Sequence, residues 1–253
     1  LGPLIMTATL VSLNSWRVGY CIVGCFQILL AACFVMTLPV WDKKENNIEN
    51  KDSKSTTAQK TTMRETLRRP QVWLSGLLFF IYTGGEVSLG IWAYTLLTES
   101  RGIKPEVAGL LVGSYWGTFT VGRFLAGFYA RRWGVNLLVT GGLVAAIFGT
   151  LLLWWNPATI TNLIAVALIG FAIAPIFPAM ISTTSKRVGV NFASNTIGLQ
   201  MALGSVGAAA IPGFVGVLAR QISIEVVPVC LFILFSVQFG LYLFSLKCGT
   251  NNP

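Results

Sequence analysis

Residues 72–98 read VWLSGLLFFIYTGGEVSLGIWAYTLLT, an apolar run in which Glu86 is the only charged side chain. A helix needs about 20 residues to cross a hydrocarbon core, and this run supplies them. Further complete blocks of the same kind cover 17–41, 106–129, 135–155, 159–185, 193–219 and 224–246. A partial block fills 1–13 and begins without an initiator Met; it has neither the basic start nor the cleavage site of a signal peptide. The chain is 54% hydrophobic and only 11% charged, against roughly 25% charged for an average soluble domain. Unpaired backbone groups are too costly in lipid, so the blocks are expected as helices. Nothing in them alternates in polarity as the strands of a membrane barrel do.

The stretch 42–71, DKKENNIENKDSKSTTAQKTTMRETLRRPQ, breaks the pattern. It is almost free of large apolar residues and reads as a mobile linker, with Met63 to Arg69 able to form a short interfacial helix. Lys43, Lys44, Lys51, Lys54, Lys60, Arg64, Arg68 and Arg69 lie in it. Alternating across the membrane, the same side receives Arg123, Arg131, Arg132, Lys186, Arg187 and Lys247. The other side receives only Arg17, Arg101, Lys104 and Arg220, which predicts a cytoplasmic linker and C-terminus. The net charge of +9 is explained by these loops, without a nucleic-acid partner.

The chain has 5 Cys and 0 His. Most of the cysteines lie inside apolar blocks, so they read as packing residues, and no metal site is indicated. His-based zinc sites and Ser–His triads are excluded outright. No cluster of catalytic carboxylates occurs at a membrane edge either, so an enzyme is not expected.

A carboxylate near the middle of a span costs a few kcal/mol, about 2.5–3.5 on insertion scales, and marks a functional site by default. Glu86 is therefore the leading candidate, as a proton acceptor or a hydrogen-bond acceptor for a polar substrate. Tyr82, Glu86 and Gly90 share a helix face, as do Trp116, Thr120 and Arg123. With Tyr115 beside Trp116, and Asn195, Gln200 and Ser205 in 193–219, these residues would line a wet cavity with an aromatic platform suited to a sugar. Stacking of Trp116 in an ordinary core is the plainer alternative. Gly109, Gly113 and Gly117 form a strip for close helix approach. Pro175, Pro178 and Pro212 are candidate helix hinges. Gly127-Phe-Tyr-Ala-Arg131 and Gly216-Val-Leu-Ala-Arg220 repeat the pattern G-x-x-A-R three segments apart, as an inverted repeat would.

The stretch GLLVGSYWGTFTVGRFLAGFYARRWG (109–134) resembles the eighth helix and following cytoplasmic loop of the major facilitator superfamily. The loop signature of that family, G-x-x-x-D-R/K-x-G-R/K-R/K, is matched at Gly127, Arg132 and Gly134. It departs at Arg131, where the family often has Asp, and at Val135-Asn136, where basic residues are common. Phe79 to Arg101 and Ala172 to Pro178 are similar to the seventh and tenth helices of the fucose permease-like sugar transporters, and Gly2-Pro3 to the end of a fifth helix.

The resemblance implies an all-α membrane fold: the C-terminal six-helix bundle of a twelve-helix transporter (72–253), the central cytoplasmic loop (42–71), and the end of the N-terminal bundle (1–41). It implies an integral, multi-pass protein of the cell membrane, the inner membrane if bacterial, with the rest of the N-terminal bundle encoded upstream. The function it implies is alternating-access uptake of a sugar or similar small polar solute, coupled to a proton or sodium, with no other cofactor. Drug or metabolite efflux is the alternative within the family. A non-transporting receptor or scaffold is the alternative outside it.

Overall fold

The computed structural model describes residues 2–52, 61–156 and 158–250. The chain forms two units, Leu1–Lys60 and Thr61–Pro253. The first holds α1 (Gly2–Leu13) and α2 (Trp16–Asp52), joined where Asn14 takes a φ of 47°. Gly19 of α2 lies against Met6 and Thr9 of α1. The apolar part of α2, Trp16–Leu38, is long enough to cross a membrane.

The expected linker differs from a structureless tether. Helix α2 continues through residues 42–52, because Lys and Glu are good helix formers and extending an existing helix avoids the nucleation penalty. The expectation for 53–60 lies outside the described residues. Residues Met63–Leu67 form α3, within the stretch expected to be a short interfacial helix. Its capping box is complete: the Glu65 N–H donates to Thr62 Oγ1 at 3.4 Å, and the Thr62 N–H donates to Glu65 Oε2 at 3.3 Å.

The rest of the second unit is α4 (Pro70–Thr95), a π-helical turn (Leu96–Ser100), α5 (Pro105–Trp133), α6 (Val135–Trp155), α7 (Thr159–Ile173), α8 (Ile176–Ser182), α9 (Thr184–Val188), α10 (Val190–Gln221) and α11 (Val226–Thr250). The single block 159–185 is thus broken. Pro175 and Pro178 have no N–H, so the helix loses intrahelical donors at this point, and Pro175 occupies the break. Pro178 lies within α8, and Pro212 lies within an unbroken α10.

The long helices pack in the order α5–α7–α6–α11–α4–α10, with α5 returning to touch α4. Helices α4 and α10 approach closely at Gly207, where a Cβ would collide with the Phe80 carbonyl. On α5 a tight approach is at Gly122, against Phe171 and Ala174; of the expected strip, Gly109 and Gly113 are buried and Gly117 faces open space. Among the described residues 6 helical stretches are long and apolar enough to span a membrane, and α5 is not among them. Ser114, Thr118, Thr120 and Arg123 in its middle make it too polar. A helix more polar than its neighbours is where a site is expected.

Candidate functional site

Helices α4 and α5 bring Glu86 and Arg123 together. Arg123 Nη2 stands 4.0 Å from Glu86 Oε1, with the Glu86 side chain 13% exposed and that of Arg123 46% exposed. The guanidinium lies over the Phe119 ring at 4.5 Å and the Phe177 ring at 5.8 Å. Phe119 is one helical turn before Arg123 on α5, and Phe177 belongs to α8 just after the break. The charge is therefore held by aromatic faces as much as by the carboxylate. At 4.0 Å the ion pair is at the outer limit of contact, so it is loosely made.

The neighbouring tyrosines fix the helices around the pair. Tyr82 is fully buried and its hydroxyl donates to the Ile173 carbonyl at 3.0 Å, serving the last residue of α7 at the break. Tyr115 donates to the Glu86 main-chain carbonyl, again at 3.0 Å. Trp116 packs edge-on to Tyr115 and Phe119 at 4.9 and 5.8 Å, and Gly90 leaves the space its ring fills. Thr118 ties α5 to α7 through the Ala167 carbonyl at 2.8 Å. Thr120 bonds within its own helix, to the Trp116 carbonyl at 2.8 Å.

Two of the expected cavity residues lie elsewhere. Asn195 donates to the Thr61 carbonyl at 3.0 Å and to Thr66 Oγ1 at 3.1 Å, tying the start of α10 to α3. Gln200 is fully buried and bonds Ser75 and Thr184, joining α10, α4 and α9. Both are polar crosslinks at the α3 end of the bundle. The loop-motif residues lie at the α5–α6 turn: Gly127, Arg131 and Arg132 are exposed, and Gly134 takes a φ of 80° that L side chains rarely adopt. Pro212 accepts a hydrogen bond from Trp92 Nε1 at 3.0 Å, which braces α10 against α4.

A second charged cluster escaped the sequence reading. Arg101, only 3% exposed, donates from Nε and Nη2 to the two oxygens of Glu225 at 3.0 and 2.9 Å. It also bonds Asn162 Oδ1 and the Leu153 carbonyl. Ser100 donates to Glu225 at 2.7 Å, and Asn162 donates to Asn156 at 2.9 Å. One guanidinium thus fastens the ends of four helical segments. Burial pushes the Glu225 carboxyl up, but the hydrogen bonds from Arg101 and Ser100 and the Arg101 charge together outweigh it and hold it below the usual range.

These elements define a polytopic α-helical membrane protein with a loose ion pair at an internal helix contact. The model of the Major Facilitator Superfamily matches residues 1–212, and the chain belongs to that family. It is the family that the stretch 109–134 resembles. Bypass of stop codon protein 6 of Saccharomyces cerevisiae is 26% identical over 227 residues, 79% of this chain and 44% of that protein. Sodium-dependent glucose transporter 1 of Homo sapiens is 27% identical over 204 residues, 79% of this chain and 37% of that protein. Sodium-dependent glucose transporter 1A of Mus musculus is 28% identical over 205 residues, 79% of this chain and 45% of that protein. The chain therefore spans less than half the length of these relatives.

Proposed function

We propose that the chain is the C-terminal part of a secondary transporter that takes up a sugar or similar small polar solute by alternating access, coupled to a cation. The observation that carries this reading is the Glu86–Arg123 pair: an intramembrane carboxylate 4.0 Å from a half-exposed guanidinium. A carboxylate so placed can leave its arginine for a proton or sodium without leaving a deeply buried charge unpaired. The similarity to the human and mouse proteins named sodium-dependent glucose transporters favours sodium and a hexose.

In this reading Glu86 exchanges between Arg123 and the cation. Trp116, which is only partly buried, offers an aromatic surface to the solute, and Arg123, seated on the Phe119 ring, offers donors to its hydroxyls. The break at Pro175 is the moving part, because Phe177 and the Ile173 carbonyl both touch the site from either side of it. The N-terminal bundle completes the cavity, and the linker and C-terminus face the cytoplasm.

The test uses the full-length protein in proteoliposomes, with labelled hexose and either a sodium or a pH gradient imposed. Uptake should accelerate with one gradient, and Glu86→Gln should remove that acceleration. Gradient-driven uptake unchanged in Glu86→Gln would exclude Glu86 as the coupling site. Hexose uptake insensitive to both gradients would exclude coupled uptake.

A further inference from the structure

A groove of about 600 Å³ opens between α5, α6 and α7, away from Glu86. Its walls are almost wholly apolar, with Leu137, Gly141 and Ala145 on α6 facing Phe171 and Pro175 across it. Tyr129 and Trp133 close one end, their rings stacked at 5.0 Å and 4°. The groove is open for lack of a side chain at Gly141, where a Cβ would meet nothing within 4 Å. Helix α6 spans a membrane, so the groove runs at hydrocarbon depth, with its aromatic end one residue from the α5–α6 turn. Tyr and Trp favour the headgroup level, which places this end at the membrane surface.

Charge decides the occupant. Arg132 follows Tyr129 by three residues, so the two are neighbours on one face of α5 and Arg132 flanks the mouth of the groove. No acidic residue occurs between Glu106 and Glu225. Among the described residues the ion pairs are those of Arg101 and Arg123, and none involves Arg131 or Arg132. An unpaired cation stands at the headgroup end of an apolar trough whose volume falls within the ~300–1,000 Å³ of ordinary ligand sites.

We propose that this groove binds one acyl chain of an anionic phospholipid from the leaflet on the Arg132 side, with Arg132 pairing the lipid phosphate. Pro175 is both a wall of the groove and the α7–α8 break, so the chain rests on the hinge that carries Phe177.

The test places the full-length protein in phosphatidylcholine nanodiscs holding a trace of phospholipid with a diazirine in its acyl chain, the headgroup being either glycerol (anionic) or choline. Photolabelled positions are then mapped by mass spectrometry. The anionic probe should label residues 137–145 and 171–175 about fivefold more than the choline probe, the ratio expected of roughly 1 kcal/mol from one arginine at the surface. Gly141→Leu should abolish this labelling by filling the trough. Arg132→Gln should bring the two probes to parity while keeping the choline signal. The proposal is overturned by equal labelling from both probes in the wild type, or by labelling indifferent to Gly141→Leu. Absence of label from the groove, the result if a protein helix covers it, overturns it as well.

Discussion

Two Arg–Glu pairs stand in the same bundle and are built in opposite ways. Arg101 is 3% exposed, bidentate on Glu225 and bonded to two further acceptors. Arg123 is 46% exposed, stands 4.0 Å from Glu86 and rests on Phe119 and Phe177. The first guanidinium makes four hydrogen bonds, and moving it would unfasten four helix ends. The second has donors to spare and a weak hold on its carboxylate. A saturated pair serves the fold, whereas an unsaturated pair beside a helix break is available for chemistry.

The largest effect separating the two is on stability. Arg101→Ala should lower the stability of the detergent-solubilised full-length protein by about 3 kcal/mol, the lower end of the ~3–5 for breaking a buried pair, because Glu225 keeps contact with water. Thermal unfolding monitored by size-exclusion chromatography reads this, and a loss below 1 kcal/mol would make the cluster ornamental.

Next comes a pH effect confined to the same cluster. The Glu225 carboxyl is held below its unfolded value of about 4.3, so its stabilisation is fully present above that pH and disappears as pH falls through the folded value. Glu225→Gln should therefore flatten the loss of stability below about pH 4. An acid-unfolding profile identical in wild type and variant would show that Glu225 does not contribute to it.

The smallest stability effect belongs to the other pair. Arg123→Ala should cost less stability than Arg101→Ala, because the pair is stretched to 4.0 Å and its arginine is half-exposed, while abolishing solute uptake. A stability loss matching that of Arg101→Ala would erase the contrast between the two sites.

The fold was legible because lipid imposes one pattern on every span. Block 135–155 coincides with α6, bounded by Gly134 and Asn156, both at positive φ. Glu86 was legible for the same reason, as the lone charge in its run. Its partner was harder to see. Arg123 was placed on a face with Trp116 and Thr120, but periodicity within α5 does not say which residue of α4 that face meets. Arg101 and Glu225 are separated by 124 positions and lie at segment ends, where a charge is ordinary, so their contact had no local signal. Asn195 and Gln200 were visible as polar residues in an apolar helix. Only tertiary packing shows that they meet Thr61, Thr66, Ser75 and Thr184 rather than Glu86.

The central claim is that Glu86 couples a cation to solute movement without being needed to bind the solute. The most direct measurement compares two rates for the full-length Glu86→Gln protein in proteoliposomes: gradient-driven accumulation, and solute exchange at equilibrium with no gradient. Accumulation should be lost while exchange continues at near the wild-type rate. Accumulation persisting in the variant would contradict the claim, and so would loss of exchange in a protein that remains folded.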